Sequence, residues 1–175
     1  MKAPDEFLKD RWVLVVDDEP DVLETIKEML DMCKIDTAPD FETANKFLNK
    51  NNYDAAILDI MGVRGYDLLA VAASKGIPAL MLTAHALSPD HLKRSIQSGA
   101  GAYIPKENLA DIEDYLVELI HSVNAGTKHS GRWFSKLRPI FNRKFGPGWQ
   151  ETDKEFWREF EDRYVPSRED AKTLL

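Results

Sequence analysis

Trp12-Val13-Leu14-Val15-Val16-Asp17-Asp18-Glu19-Pro20 is the stretch that decides the fold. Five apolar residues run together without helical period or polar alternation, as in a strand covered on both faces. Three consecutive carboxylates follow at once. Pro20 then suits the first turn of a helix, where its missing N–H is no loss. A buried strand that empties into an acidic turn must have something at its mouth that tolerates the crowded charge.

Outward from this unit the same alternation repeats. Further short apolar runs lie at 35–38, 55–58, 79–82 and 102–104. Between them lie segments of helical period. Residues 20–32 carry Val22, Leu23, Ile26, Met29 and Leu30 on one face. Residues 40–50 open at Asp40, a good N-cap, and residues 66–75 are rich in Ala and Leu. Residues 88–98 open with Ser88-Pro89 and stop at Gly99, and residues 108–124 open at Asn108. Strands alternating with helices predict an α/β fold with a doubly wound, five-stranded parallel sheet. Ligands of such sheets bind at the carboxyl ends of the strands.

Those ends carry a chemically coherent set. The first strand runs into Asp17 and Asp18, the third into Asp59, the fourth into Thr83 and the fifth into Lys106. Carboxylates sharing a small site raise one another's pKa unless compensated. A hard divalent cation with oxygen ligands resolves the conflict, and Mg²⁺ takes one or two carboxylates alongside a phosphate. One carboxylate then remains as a nucleophile able to form an acyl phosphate. The ammonium and the hydroxyl are suited to the phosphoryl oxygens.

This set, over roughly residues 10–124, resembles the receiver domain of two-component response regulators, a flavodoxin-like fold. The resemblance implies that Asp59 is the phosphoacceptor and that Asp17, Asp18, Asp59 and the backbone carbonyl of Met61 hold Mg²⁺. It implies that Thr83 and Lys106 contact the phosphoryl group and that Thr83 and Tyr103 form a switch. A half-buried tyrosine with a wet hydroxyl explains Tyr103 equally well. His85 either tunes loss of the phosphoryl group or is a loop histidine facing solvent. The implied donor is a sensor histidine kinase or phosphotransfer protein, and turnover of an external substrate is not expected. Output is expected through the surface of helix 88–98, strand 102–104 and helix 108–124, or through the tail.

Two features depart from the family. Gly62 stands where proline is usual, in the short loop Ile60-Met61-Gly62-Val63-Arg64-Gly65, so a more flexible loop is expected there. Arg64 either reaches the pocket or is solvated. Proline also precedes Lys106 rather than following it, so no cis bond after the lysine is inferred. A phosphohydrolase is disfavoured, because Met61 stands where a second acid would be needed two residues after Asp59.

The chain has 175 residues, 43% hydrophobic and 30% charged, enough for one ordinary domain and something smaller. Cys33 is the single cysteine, so no internal disulfide forms, and it reads as a half-buried helix residue. No stretch approaches the about 18 apolar residues that span a membrane, and no leader segment is recognised. A cytoplasmic protein is expected. His91, His121 and His129 show no metal-ligand pairing.

Charge marks the boundary. Residues 126–150 hold six Lys/Arg and no acid, against 12 Lys/Arg and 22 Asp/Glu in residues 1–125. We therefore expect a receiver at 1–125 and a helical, basic and aromatic extension at 126–175. No DNA-binding domain is recognised in it. Thr152-x-x-Glu155 reads as a capping box ahead of Phe156, Trp157, Phe160 and Tyr164 on one helical face. That stripe suits docking on the receiver or homodimerisation; a downstream protein partner, or a nucleic acid or anionic membrane bound by 126–150, remains open. A phosphorylation-independent adaptor acting through the tail is the alternative for the whole protein.

Overall fold

The computed structural model describes residues 3–84, 87–124 and 131–164. His85, Lys128, His129 and the boundary at 125/126 lie outside the described residues, as does the side chain of Tyr164. The order of elements is α1 (Pro4–Leu8), β1 (Trp12–Val16), α2 (Pro20–Met29), β2 (Lys34–Ala38), α3 (Phe41–Lys50), β3 (Ala55–Asp59) and α4 (Gly65–Ser74). Then come β4 (Ala79–Thr83), α5 (Pro89–Gln97), β5 (Ala102–Pro105), a 3-10 segment (Lys106–Asp111) and α6 (Ile112–Asn124). The tail supplies α7 (Arg132–Phe145), a 3-10 turn (Glu151–Asp153) and α8 (Lys154–Tyr164).

The five strands are all parallel, in the order β2-β1-β3-β4-β5. This is the flavodoxin-like, doubly wound arrangement, whose switch point lies between β1 and β3. Every residue of β3 and β4 is buried, and so is β1 beyond Trp12. That is why these strands read as apolar runs. α2 and α6 cover one face of the sheet, while α3, α4 and α5 cover the other.

Local signals set the helix ends. Asp40 caps α3 by accepting from the Thr43 N–H at 2.8 Å, and Ser88 caps α5 by accepting from the His91 N–H at 3.1 Å. Gly99, at φ +95°, turns the chain out of α5. Three expectations are corrected. α1 was not foreseen; it seats the fully buried Leu8 beside α6. The helix expected from Asn108 begins at Ile112, after a 3-10 segment in which Asn108 has non-helical angles. Cys33 lies in the turn after α2 rather than in a helix, and burial pushes its thiol up to about 11.

The expected capping box does not form either. The Thr152 hydroxyl donates to the Trp149 carbonyl at 3.3 Å, and a 3-10 turn intervenes before α8. Asp153 carries the negative charge near the Phe156 N–H instead, and Lys93 holds its carboxyl below the usual range.

The tail is built on aromatic packing. α7 buries Trp133, Phe134, Leu137 and Phe141 on one face, while Pro139 lies on its exposed side, where water can serve the carbonyl left without a donor. Phe134 is fully buried, with the rings of Phe160, Trp157 and Trp149 at 5.0, 5.7 and 6.2 Å. This cluster is continuous with the core of the sheet. Among the described residues no helix is long and apolar enough to cross a membrane.

Candidate functional site

The parallel sheet delivers the strand-end residues to one edge. Asp17 follows β1 directly, and its backbone N–H donates to the Ala38 carbonyl at 3.2 Å, so the β1–β2 ladder continues into the turn. Asp17 is fully buried, and its Oδ1 accepts the Glu19 N–H at 2.9 Å, which shapes the acidic turn. Asp59 ends β3, next to β4, and is 4% exposed. Thr83 ends β4 and is paired in register with Pro105. Lys106 therefore lies one residue past β5, at the start of the 3-10 segment.

Lys106 ties the site together. Its Nζ lies 2.7 Å from Asp17 Oδ2, 2.8 Å from Glu19 Oε1 and 3.5 Å from Asp59 Oδ1. One ammonium thus faces three carboxylates, with Asp18 close by. Burial pushes Asp59 up to about 7, the Asp17 charge adds to the rise, Lys106 opposes it, and Asp18 raises it further. Asp17 is also raised, by burial, although Lys106 and the Glu19 N–H pull it back. Burial works against the Lys106 charge, but the carboxylates of Asp17 and Glu19 outweigh it and raise its pKa.

The donor set suits a hard cation. Asp17, Asp18 and Glu19 bring carboxylate oxygens within 4.8 Å of one another. Asp17 Oδ2 is buried and, despite its ion pair with Lys106, lacks an aligned hydrogen bond. Crowded oxygen ligands with an excess of negative charge are what Mg²⁺ coordination requires.

The loop after β3 shows why its glycines are there. Gly62 has φ +85°, and a Cβ on it would lie 2.5 Å from Asp18 Oδ2. A Cβ on Gly65 would lie 2.1 Å from the Asp59 carbonyl oxygen, so α4 can start this close to β3 only without a side chain. Met61 is exposed, 52% accessible. Arg64 adopts φ +55°, pairs with Asp67 at 2.8 Å and lies 4.1 Å from the Phe41 ring centroid. It is a solvated arginine laid on an aromatic, not a pocket residue. No peptide bond among the described residues is cis.

Tyr103 is fully buried, which removes the reading of a half-buried ring with a wet hydroxyl. Burial raises the pKa of its hydroxyl, while the Thr83 side chain and the Ser88 backbone act to lower it. His91 Nδ1 lies 2.8 Å from the Tyr66 hydroxyl, a contact joining α4 to α5. His121 is exposed near the Phe7 ring.

Sequence reasoning gave no role to two residues here. Glu19 pairs with Lys106, and its place in the acidic run was the available signal. Lys144, from the end of α7, lines a cleft of about 140 Å³ together with Thr83, Leu87, Pro105, Lys106 and Glu107. Nothing local in the sequence brings residue 144 to the strand ends.

The chain belongs to the response regulator receiver domain family of two-component systems, whose model matches residues 13–117. It is similar to the heme response regulator HssR of Staphylococcus aureus (strain Newman), with 39% identity over 98 residues. That match covers 53% of this chain and 43% of HssR, so the chain spans less than half of that curated relative. The receiver domain of the Francisella response regulator 1452 superposes with a TM-score of 0.59 at 25% identity, covering 65% of this chain and 99% of that one. The receiver domain of the sensor histidine kinase PA1611 from Pseudomonas aeruginosa, solved with magnesium in its active-site cleft, shares the fold at 24% identity and a TM-score of 0.55, over 65% of this chain and 99% of that one.

Proposed function

We propose that this protein is a phosphoryl-accepting switch. The observation that carries the reading is Lys106, whose ammonium reaches both Asp17 and Asp59 at the mouth of the sheet. Asp59 is the phosphoacceptor. Asp17, Asp18, Asp59 and the Met61 carbonyl hold Mg²⁺, which neutralises charge on the transferring phosphoryl oxygens when bound. Magnesium in the PA1611 cleft is in keeping with this donor set.

The donor is a sensor histidine kinase or a phosphotransfer protein. A carboxylate oxygen of Asp59 attacks phosphorus, the P–N bond of the donor's phosphohistidine breaks, and the imidazole takes up a proton. Lys106 exchanges carboxylate partners for a phosphoryl oxygen, and Thr83 donates its O–H to another. Thr83 and Tyr103, on the adjacent strands β4 and β5, form the switch that responds. Hydrolysis returns the Asp59 carboxylate and inorganic phosphate, so the protein acts on itself and on no external substrate. We place it in the cytoplasm, with a receiver at residues 1–125 and an extension at 126–175 that docks on it.

Intact mass after incubation with Mg²⁺ and acetyl phosphate tests this. One added phosphoryl group on the wild type and none on Asp59→Asn is the expected result. No adduct on wild type, either with acetyl phosphate or with a phosphorylated histidine donor domain, would shift the reading to an adaptor working through its tail.

A further inference from the structure

Lys144 is held near the strand ends by the helix that carries it. Phe141, one turn earlier on the same face of α7, is fully buried and meets the Tyr103 ring at 6.5 Å. Nearer the start of α7, the Trp133 N–H donates to Glu118 Oε1 at 3.3 Å and Lys136 pairs with Asp114 at 3.6 Å. The last turn is thus set against the end of β5, and Lys144 Nζ stands 3.1 Å from Glu107 Oε1. The match to the receiver model stops at residue 117, so this ammonium comes from outside the matched stretch.

The cleft that Lys144 lines has two kinds of wall. Ala84, Leu87 and Pro105 are apolar, while Thr83, Lys106 and Lys144 bring hydrogen-bond donors. Its volume is about 140 Å³, and a cavity of about 150 Å³ holds a benzene molecule, so a short acyl group fits. The two cations are not equivalent. Lys106 already faces Asp17, Glu19 and Asp59. Lys144 pairs with the exposed Glu107, and an exposed pair is weak and readily exchanged. In the last turn of α7, Lys144 also offsets the negative end of the helix dipole, which would otherwise repel an anion.

We propose that Lys144 is a specificity-determining residue for the phosphoryl donor: it makes the cleft beside Thr83 and Lys106 a seat for the leaving group of short-chain acyl phosphates, whose departing carboxylate takes the Lys144 ammonium in place of Glu107. The proposal rests on the reading of Asp59 as phosphoacceptor. A carboxylate oxygen of Asp59 attacks phosphorus, and the bond from phosphorus to the acyl oxygen breaks. The electron pair leaves with a carboxylate anion, which needs no proton. The transition state of such transfers is loose, so the departing oxygen carries much of its charge at the top of the barrier. That oxygen is uncharged in the donor, so a cation beside it stabilises the transition state more than the ground state. Leu87 and Pro105 receive the short alkyl group. A donor that releases a neutral amine gains nothing from Lys144.

Intact-mass time courses on the full chain at saturating Mg²⁺ give rate constants for two small donors. Acetyl phosphate releases acetate. Phosphoramidate carries a protonated nitrogen and releases neutral ammonia. The readout is the ratio of the two constants, from which general damage to the fold or to the phosphoryl site cancels. A unit charge about 4 Å from the departing oxygen at a wet surface is worth about fivefold, so Lys144→Gln should lower the ratio of acetyl phosphate to phosphoramidate by about that factor, and Lys144→Glu further. A ratio within about twofold of wild type in Lys144→Glu, including an equal loss with both donors, would overturn the proposal. So would a Lys144→Glu ratio no lower than that of Lys144→Gln, since the effect would then be packing rather than charge. A wild type labelled by a phosphohistidine domain but by neither small donor would also overturn it, while leaving Asp59 as phosphoacceptor. A wild type labelled by no donor would strike that reading, and this one with it.

Discussion

Replacing Lys106 with methionine keeps the length of the side chain and removes its charge. In the wild type that charge stands within 4 Å of three carboxylates, two of them buried: Asp17 is inaccessible and the Asp59 side chain only 6% exposed. Taking one partner from a buried ion pair leaves an uncompensated charge, at a cost of about 3–5 kcal/mol. In a chain of this size each kcal/mol moves Tm by about 2–4 °C, so a fall of about 6–20 °C is expected at pH 8 without metal. The cost depends on pH in a defined direction. Asp59 is already raised to about 7 with Lys106 present, and without it the carboxyl holds its proton still more firmly. At pH 5 the folded variant carries a neutral Asp59, and the penalty shrinks. Urea unfolding followed by circular dichroism in EDTA, at pH 5 and pH 8, measures both values. A variant within about 1 kcal/mol of wild type at pH 8, or one equally destabilised at both pH values, would refute this account of the cluster.

Other expectations follow from the same geometry. Because folding raises Asp59 from 3.8 to about 7, this group contributes stability that is lost as pH rises between those values in metal-free protein, and Mg²⁺ binding should tighten from pH 6 to 8 with proton release, measurable by calorimetry in buffers of different ionisation enthalpy. Gly62→Ala forces a Cβ to within 2.5 Å of Asp18 Oδ2 at a positive φ, so it should cost about 1–3 kcal/mol in a thermal melt and weaken Mg²⁺ in titration. Phe134→Ala empties the centre of the tail's aromatic cluster, and chemical denaturation should show a loss of about 3–5 kcal/mol.

Much of the sheet was legible because burial on both faces leaves an unbroken apolar run, as in β1, β3 and β4. The caps at Asp40 and Ser88 were legible because a short polar side chain beside its own helix acts locally. Asp17, Asp18, Asp59, Thr83 and Lys106 could be set on one edge because a parallel sheet brings all its strand ends to the same side. What escaped depends on distant partners. α1 is one short turn with only Leu8 to bury, too brief for a periodic signal. Thr152 and Glu155 have capping-box spacing, yet Thr152 turns back to Trp149 and Asp153 faces the helix instead. Gly62 read as a source of slack, whereas the fold uses it for close approach to Asp18. The burial of Tyr103 was undecidable from its neighbours, because the ring next to it belongs to Phe141.

The match to the family model ends at residue 117, but the apolar core does not. Tyr103 is sealed in part by Phe141, and β5 is an edge strand that α7 packs against. The stretch matched by the family model and the stretch that shares one apolar core therefore have different ends. A chimera cut at the family boundary would bare an aromatic ring and a strand edge together, a pairing that invites self-association. In this protein the end of the family match therefore falls within a continuous hydrophobic core.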